Sequence, residues 1–145
     1  MSAGPGMEVL TVGVSIVLAD DEPDLRALYA EVLRRDGYEV WEAVDGREAL
    51  AMVAGHRPDL LILDVWMPDL NGFEVLDRLR YDPEATTLKV VMLSNLSDAE
   101  TRLEGYSAGA ADYWVKGLSV DDFCTRVRRA LTETGCSPSS MQDPV

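Results

Sequence analysis

The chain has little cysteine: only Cys124 and Cys136 occur among its 145 residues. They form no CxxC pair, one falling in a helical stretch and the other in a polar tail, so a disulfide has no support and the usage fits a reducing cytoplasm. Long apolar runs are also missing. Nothing approaches the roughly 20 consecutive apolar residues of a membrane span. The apolar stretch over residues 7–19 follows MSAGPG, which lacks the basic start of a secretory signal, and so reads as a first strand. Positive charge is scarce: 13 Lys and Arg stand against 26 Asp and Glu, a net charge of −13. That balance argues against direct binding of nucleic acid, while leaving room for a protein partner or a divalent cation. No GxxxxGK[ST] is present, which removes nucleotide binding through a P-loop. There is no internal repeat.

What is present is the composition of one ordinary globular domain, 47% apolar and long enough to bury a core without staples. Residues 1–13 are small and read as a flexible leader, and residues 132–145 (TETGCSPSSMQDPV) as a flexible polar tail. Between them, strands alternate with helices. Val14 to Ala19 is an apolar strand ending in Asp20, Asp21 and Glu22. Pro23 suits the first turn of a helix, and Leu25, Leu28, Tyr29, Val32 and Leu33 follow at helical spacing as one inward face, closed by Asp36-Gly37. A second strand is expected over Tyr38 to Ala43, then a helix with Ala49, Leu50 and Val53 inward that ends near Gly55. His56 at that helix end reads as a favourable charge at the dipole.

The middle of the chain, LLILDVWMPDLNGFE over residues 60–74, is the most informative stretch. Leu60 to Leu63 lack polar alternation, as a strand buried on both faces of a parallel sheet should. Asp64 then falls at the sheet's carboxyl edge, where open α/β sheets place ligands. A third helix is expected from Gly72 to Tyr81 with Phe73, Leu76 and Leu79 inward. A fourth strand over Lys89 to Leu93 ends in Ser94-Asn95. Ser97-Asp98 starts a helix with Leu103 and Tyr106 inward, and a fifth strand, Asp112 to Val115, ends in Lys116. Asp121 opens a last helix with Phe123, Val127, Ala130 and Leu131 inward. Trp41 and Trp114 read as packing residues. Five strands alternating with five helices predict a parallel sheet covered on both faces.

In such a sheet all strands end at one edge. Asp20, Asp21, Asp64, Ser94 and Lys116 therefore gather there, three carboxylates with a hydroxyl and an ammonium. Clustered carboxylates repel; a hard divalent cation relieves that repulsion, and an incomplete oxygen set suits Mg²⁺. One carboxylate can then act as a nucleophile toward phosphorus, with Lys116 on the phosphoryl oxygens.

The acidic pair Asp20-Asp21, the D-x-x-M-P-x-x-x-G run from Asp64 to Gly72, Ser94 after an apolar strand, G-A-x-D-Y from Gly109 to Tyr113, and Lys116 together resemble the receiver domain of two-component response regulators, of the chemotaxis type. The resemblance covers residues 14–131. It implies a flavodoxin-like, doubly wound five-stranded parallel sheet, (βα)5 with strand order 2-1-3-4-5. It further implies that Asp64 is the phosphoacceptor, charged from a phosphohistidine on a sensor histidine kinase or phosphotransfer protein. Mg²⁺ would be held by Asp20, Asp21, Asp64 and the backbone carbonyl of Trp66. Lys116 and Ser94 would hold phosphoryl oxygens, and Ser94 with Tyr113 would form the switch, repacking the surface of the fourth helix, fifth strand and fifth helix. Such a receiver catalyses only its own phosphorylation and dephosphorylation and signals to a downstream protein or an output domain elsewhere in a longer chain.

The departures carry expectations of their own. The family commonly has proline after the lysine; here Gly117 follows, and a trans bond is expected. Asn95 and Trp66 are bulky neighbours that would narrow access to a phosphoaspartate and slow its loss. Arg102, Asp112, Asp122 and Arg126 resemble the charges through which transcription-factor receivers form phosphorylation-dependent homodimers. Among rivals, a haloacid dehalogenase-type phosphatase would need Asp where Trp66 stands, and flavin binding would need a phosphate-cradling loop after the first strand. A non-phosphorylated pseudo-receiver that only docks proteins is the remaining alternative, opposed by the complete acidic, hydroxyl and lysine set.

Overall fold

The structure is a computed structural model, and it describes residues 13–95 and 99–132. The expected leader, the tail with Cys136, and the helix start at Ser97-Asp98 lie outside the described residues. Five strands, β1 (Ser15–Ala19), β2 (Glu39–Ala43), β3 (Leu60–Asp64), β4 (Lys89–Ser94) and β5 (Asp112–Val115), alternate with helices α1 (Pro23–Arg35), α2 (Gly46–His56), α3 (Gly72–Arg80), α4 (Ala99–Ser107) and α5 (Val120–Thr132). All pairings are parallel, in the order β2-β1-β3-β4-β5, as the resemblance implied.

The strands sort their side chains by the twofold period of extended backbone. Val17, Leu61, Leu63, Met92 and Tyr113 face α2 and α3 through Ala49, Val53, Val75, Leu76 and Leu79. Ile16, Leu18, Leu60, Ile62, Val91, Leu93 and Trp114 face α1 and α5 through Tyr29, Leu33, Phe123 and Val127. On that second face the Phe123 ring stacks on Tyr29 at 3.9 Å and meets Trp114 edge-on at 6.0 Å, both favoured aromatic arrangements.

Two expected inward residues face out. Leu28 is 45% exposed and Leu103 66% exposed. Helical spacing bounds an apolar stripe only to about one position in four, and Ala30 and Gly105 take the inner positions on α1 and α4 instead. At Gly105 a β-carbon would sit 3.3 Å from the Tyr113 ring, a tight contact that the ring would have to give way to. Phe73 is only half-buried, while Val75 next to it is fully buried. His56 does end α2, and its ring stacks on Trp41 at 3.9 Å, which gives both residues a packing role. Helix α5 starts at Val120, one residue before the expected Asp121, with Ser119 Oγ accepting the Asp122 N–H at 3.1 Å.

Candidate functional site at the carboxyl edge of the sheet

The strand order makes the chain leave β1 toward one side, to β2, and reverse to β3 on the other. The ends of β1 and β3 are therefore neighbours at the point where the winding changes direction, the place at which open α/β sheets form a crevice. The register pairs Ala19 with Leu63, so Asp20 and Asp64, each the next residue along, arrive side by side. Asp20 is fully buried and Asp64 nearly so. One carboxylate oxygen from each of Asp20, Asp21 and Asp64 lies within 4.8 Å of the others. Asp21, on the exposed side, closes the group toward solvent.

Backbone geometry around β3 fixes Asp64. The Val65 N–H donates to the Leu93 carbonyl at 3.1 Å and the Gly72 N–H to the Val65 carbonyl at 2.7 Å, folding the loop back over the strand end. Gly72 is required at this crossing: a β-carbon would lie 2.5 Å from the Asp64 carbonyl oxygen and 2.9 Å from the Val65 Cα. Helix α3 begins at Gly72, as expected, and Asn71 caps it: Asn71 Oδ1 accepts the Glu74 N–H and Glu74 Oε1 accepts the Asn71 N–H, both at 2.9 Å. The Trp66 N–H donates to Asp64 Oδ1 at 3.3 Å, and the Trp66 side chain stands 54% exposed beside the site, edge-on to Phe73.

Lys116 reaches this group from the end of β5, where its N–H donates to the Ser94 carbonyl at 2.7 Å. Its ammonium donates to Glu22 Oε1 at 2.8 Å, Asp20 Oδ1 at 3.2 Å and Asp64 Oδ2 at 3.2 Å. The side chain is 6% exposed. Burial alone would depress the ammonium, but the hydrogen bond it donates to Glu22 and the charges of Asp64 and Asp20 outweigh it and raise its pKa above the ordinary lysine value. Asp64 moves the other way from a usual carboxylate. Desolvation first, then the charge of Asp20, pushes it up to about 7, against the opposing pull of Lys116. One cation is thus shared by more negative charge than it can neutralise. Asp20 Oδ2 lies 3.1 Å from the ammonium but accepts no hydrogen bond, although it is buried. A buried carboxylate oxygen that accepts no hydrogen bond, set among three acids, belongs to a donor set that a hard divalent cation such as Mg²⁺ fits.

Ser94 ends β4 and is buried, and Tyr113 on β5 is buried in the core against α4. The Lys116-Gly117 bond is trans, there being no cis peptide among the described residues, and Gly117 has φ of +101°. That left-handed backbone explains why proline, locked near −65°, is absent. Asp112 is occupied within its own chain: its carboxylate accepts from Tyr106 Oη, the Tyr113 N–H and Trp114 Nε1. Two residues were missed in the sequence. Arg26 donates to the Asp20 carbonyl at 2.8 Å and pairs with Glu42, pinning the turn after β1, and Glu22 binds Lys116. Glu22 was legible in principle, because it directly follows the acidic pair at the same rim; Arg26, one helical turn on, gave no signal.

A five-stranded parallel sheet in this order, with an acidic crevice at its winding reversal and a buried lysine across it, defines the flavodoxin-like, chemotaxis-protein class of α/β domain. Residues 16–128 match the response regulator receiver domain family, and the chain belongs to that family of two-component signalling proteins. It is 39% identical over 136 residues to the transcriptional regulatory protein TcrA of Mycobacterium tuberculosis, covering 93% of this chain and 53% of that protein. With the DNA-binding dual master transcriptional regulator RpaA of Synechocystis it shares 35% over 125 residues, 86% of this chain and 52% of that one. The chain therefore spans about half the length of these curated relatives. Among solved structures, chemotaxis protein CheY4 of Vibrio cholerae superimposes with a TM-score of 0.78 at 32% identity, covering 81% of this chain and 98% of that one. The receiver domain of NtrX from Brucella abortus gives 0.73 at 34%, covering 80% and 97%. No helix among the described residues is long and apolar enough to cross a membrane.

Proposed function

We propose that Asp64 accepts a phosphoryl group from a phosphohistidine donor and that the charged site switches a protein-binding surface. The observation that carries this reading is the juxtaposition of a buried carboxylate at a strand end with two further carboxylates and a buried ammonium. In the transfer, an Asp64 carboxylate oxygen forms a bond to phosphorus as the P–N bond breaks, its electron pair leaving with the imidazole nitrogen. Asp20, Asp21, Asp64 and the Trp66 carbonyl would hold Mg²⁺, which supplies charge neutralisation for the crowded oxygens. Lys116, already beside Asp64, takes one phosphoryl oxygen, a purely electrostatic role that needs no proton movement. Ser94 lies on the adjacent strand end and takes another. Tyr113, on the strand beside Ser94 and two residues before its register partner Val115, carries the change to α4, β5 and α5.

The partners on this reading are a sensor histidine kinase or phosphotransfer protein upstream and a protein surface or output domain downstream, in the cytoplasm. Residues 14–131 form the receiver, with leader and tail outside it. The deciding experiment is intact mass after incubation with acetyl phosphate and Mg²⁺. One phosphoryl adduct that needs Mg²⁺ and disappears in Asp64→Asn is the expected result; a chain that takes up neither phosphoryl group nor beryllofluoride defeats the reading and leaves the pseudo-receiver.

A further inference from the structure

Lys116 has three N–H bonds to give, and three carboxylates take them. Two belong to the acidic crevice, Asp20 and Asp64, each at 3.2 Å. The third and shortest contact, 2.8 Å, goes to Glu22, which lies outside it. An ammonium in this state has no donor left for an arriving phosphoryl oxygen. One of the three acceptors must let go before Lys116 can serve the transfer.

The surroundings decide which one. Asp20 is fully buried and anchored, its Oδ1 accepting the Glu22 N–H at 2.9 Å and its carbonyl held by Arg26. Asp64 is the acceptor itself. Glu22, by contrast, has a side chain 53% exposed. It occupies the N-cap position of α1 without making a capping hydrogen bond from its side chain, so the helix does not depend on where that carboxylate points. It alone can turn out into water without disturbing the core.

We infer that Glu22 is a positioning residue, a tether that holds the Lys116 ammonium before Asp64 is phosphorylated and competes with the incoming phosphoryl group for it. The inference rests on the reading of Asp64 as phosphoacceptor. It makes the rate of charging depend on how readily the Glu22–Lys116 contact opens, and it places a rate-setting residue one position beyond the acidic pair, on the solvent side, where a substitution changes kinetics without touching the reacting groups. Charge alone could mimic the effect, since any lost carboxylate eases the approach of an anionic donor. Glu22→Asp separates the two, keeping the charge while shortening the arm that reaches Lys116. Asp24→Asn in the first turn of α1 removes a charge of the same sign and leaves the tether whole.

The test is the rate of adduct formation with acetyl phosphate at saturating Mg²⁺, followed by intact mass, for the unaltered chain and these variants, with beryllofluoride affinity as a second readout. Glu22→Gln and Glu22→Asp should both charge faster by about two- to fivefold, the range a partly exposed ion pair commands, with beryllofluoride bound more tightly by a similar factor, while Asp24→Asn stays at the parent rate. Equal rates in the parent, Glu22→Gln and Glu22→Asp overturn the tether but leave the phosphoacceptor reading intact. Faster charging in Glu22→Gln and Asp24→Asn but not in Glu22→Asp also overturns it, in favour of bulk charge. If the parent takes neither phosphoryl group nor beryllofluoride, the phosphoacceptor reading fails first and the tether falls with it.

Discussion

Asp64 Oδ2 accepts a hydrogen bond from Lys116 Nζ at 3.2 Å, yet the Asp64 carboxyl is harder, not easier, to ionise than a free one. Burial and the adjacent Asp20 outweigh the single ammonium, which Glu22 and Asp20 also claim. This balance makes the site sensitive to protons and to divalent cations, and the first two predictions follow from it.

With its pKa raised from 3.8 to about 7, Asp64 binds a proton more tightly in the folded chain than in the unfolded one. Its contribution to stability is therefore fully present below about pH 4, declines as the pH rises, and is lost above about pH 7. Other carboxylates superimpose their own dependence, so the quantity to measure is the difference between the parent and Asp64→Asn in chelator. Urea titrations should find the variant more stable above pH 7 by roughly 1–3 kcal/mol, with the advantage fading toward pH 4. A pH-independent difference would contradict the assignment.

Mg²⁺ should stabilise the fold, because it binds the assembled carboxylates and not the dispersed ones of the unfolded chain. At a hundredfold its Kd the gain is about 2.7 kcal/mol, visible as a rise in Tm. The affinity should weaken as pH falls below about 7, where protons compete for Asp64. Asp21→Asn, at an exposed position, should fold normally in chelator and lose most of the Mg²⁺-dependent rise in a thermal melt.

Trp66 follows the acceptor in the loop after β3, its N–H on Asp64 Oδ1, and Asn95 is the exposed residue that follows Ser94 at the end of β4. The combined Trp66→Ala and Asn95→Ala variant should release phosphate from charged Asp64 several-fold faster than the parent, followed as decay of the intact-mass adduct. Unchanged decay would mean that neither side chain limits the approach of water.

Gly72→Ala would drive a β-carbon against the Asp64 carbonyl and Val65 Cα, at 2.5 and 2.9 Å. Both obstacles are backbone, so the loop must move. A loss of about 1–3 kcal/mol is expected in chemical denaturation, together with slower charging because the displaced group is the acceptor's own backbone. Gly117→Pro, which would match the commoner family residue, should also destabilise, since φ of +101° is closed to proline.

Much of this architecture was readable along the chain. Strands β1, β3 and β4 are unbroken apolar runs because both their faces are buried, and each ends at the polar residue that meets the rim; Asp20, Asp64 and Ser94 were therefore placeable from one dimension. Pro23 at the head of α1 and Phe123 and Val127 on α5 were legible because local propensity and burial agree there.

Other features depend on contacts between segments far apart in the chain, which a periodic pattern does not carry. Leu28 and Leu103 sit at helical positions that look inward, but the rotation of α1 and α4 is set by what they pack against: Ala30 goes into the core with Tyr29 and Leu33, and Gly105 faces in where α4 lies close to Tyr113. Gly72 was placeable as a helix start, but its close crossing over the Asp64 carbonyl exists only because the loop returns over the end of β3. Residue order placed the carboxylates and the ammonium at one edge; the sharing of that ammonium among Asp20, Glu22 and Asp64, and with it the raised Asp64 pKa, came from distances of about 3 Å between groups up to 96 residues apart, because electrostatics at a buried site depends on separation in space and on the exclusion of water.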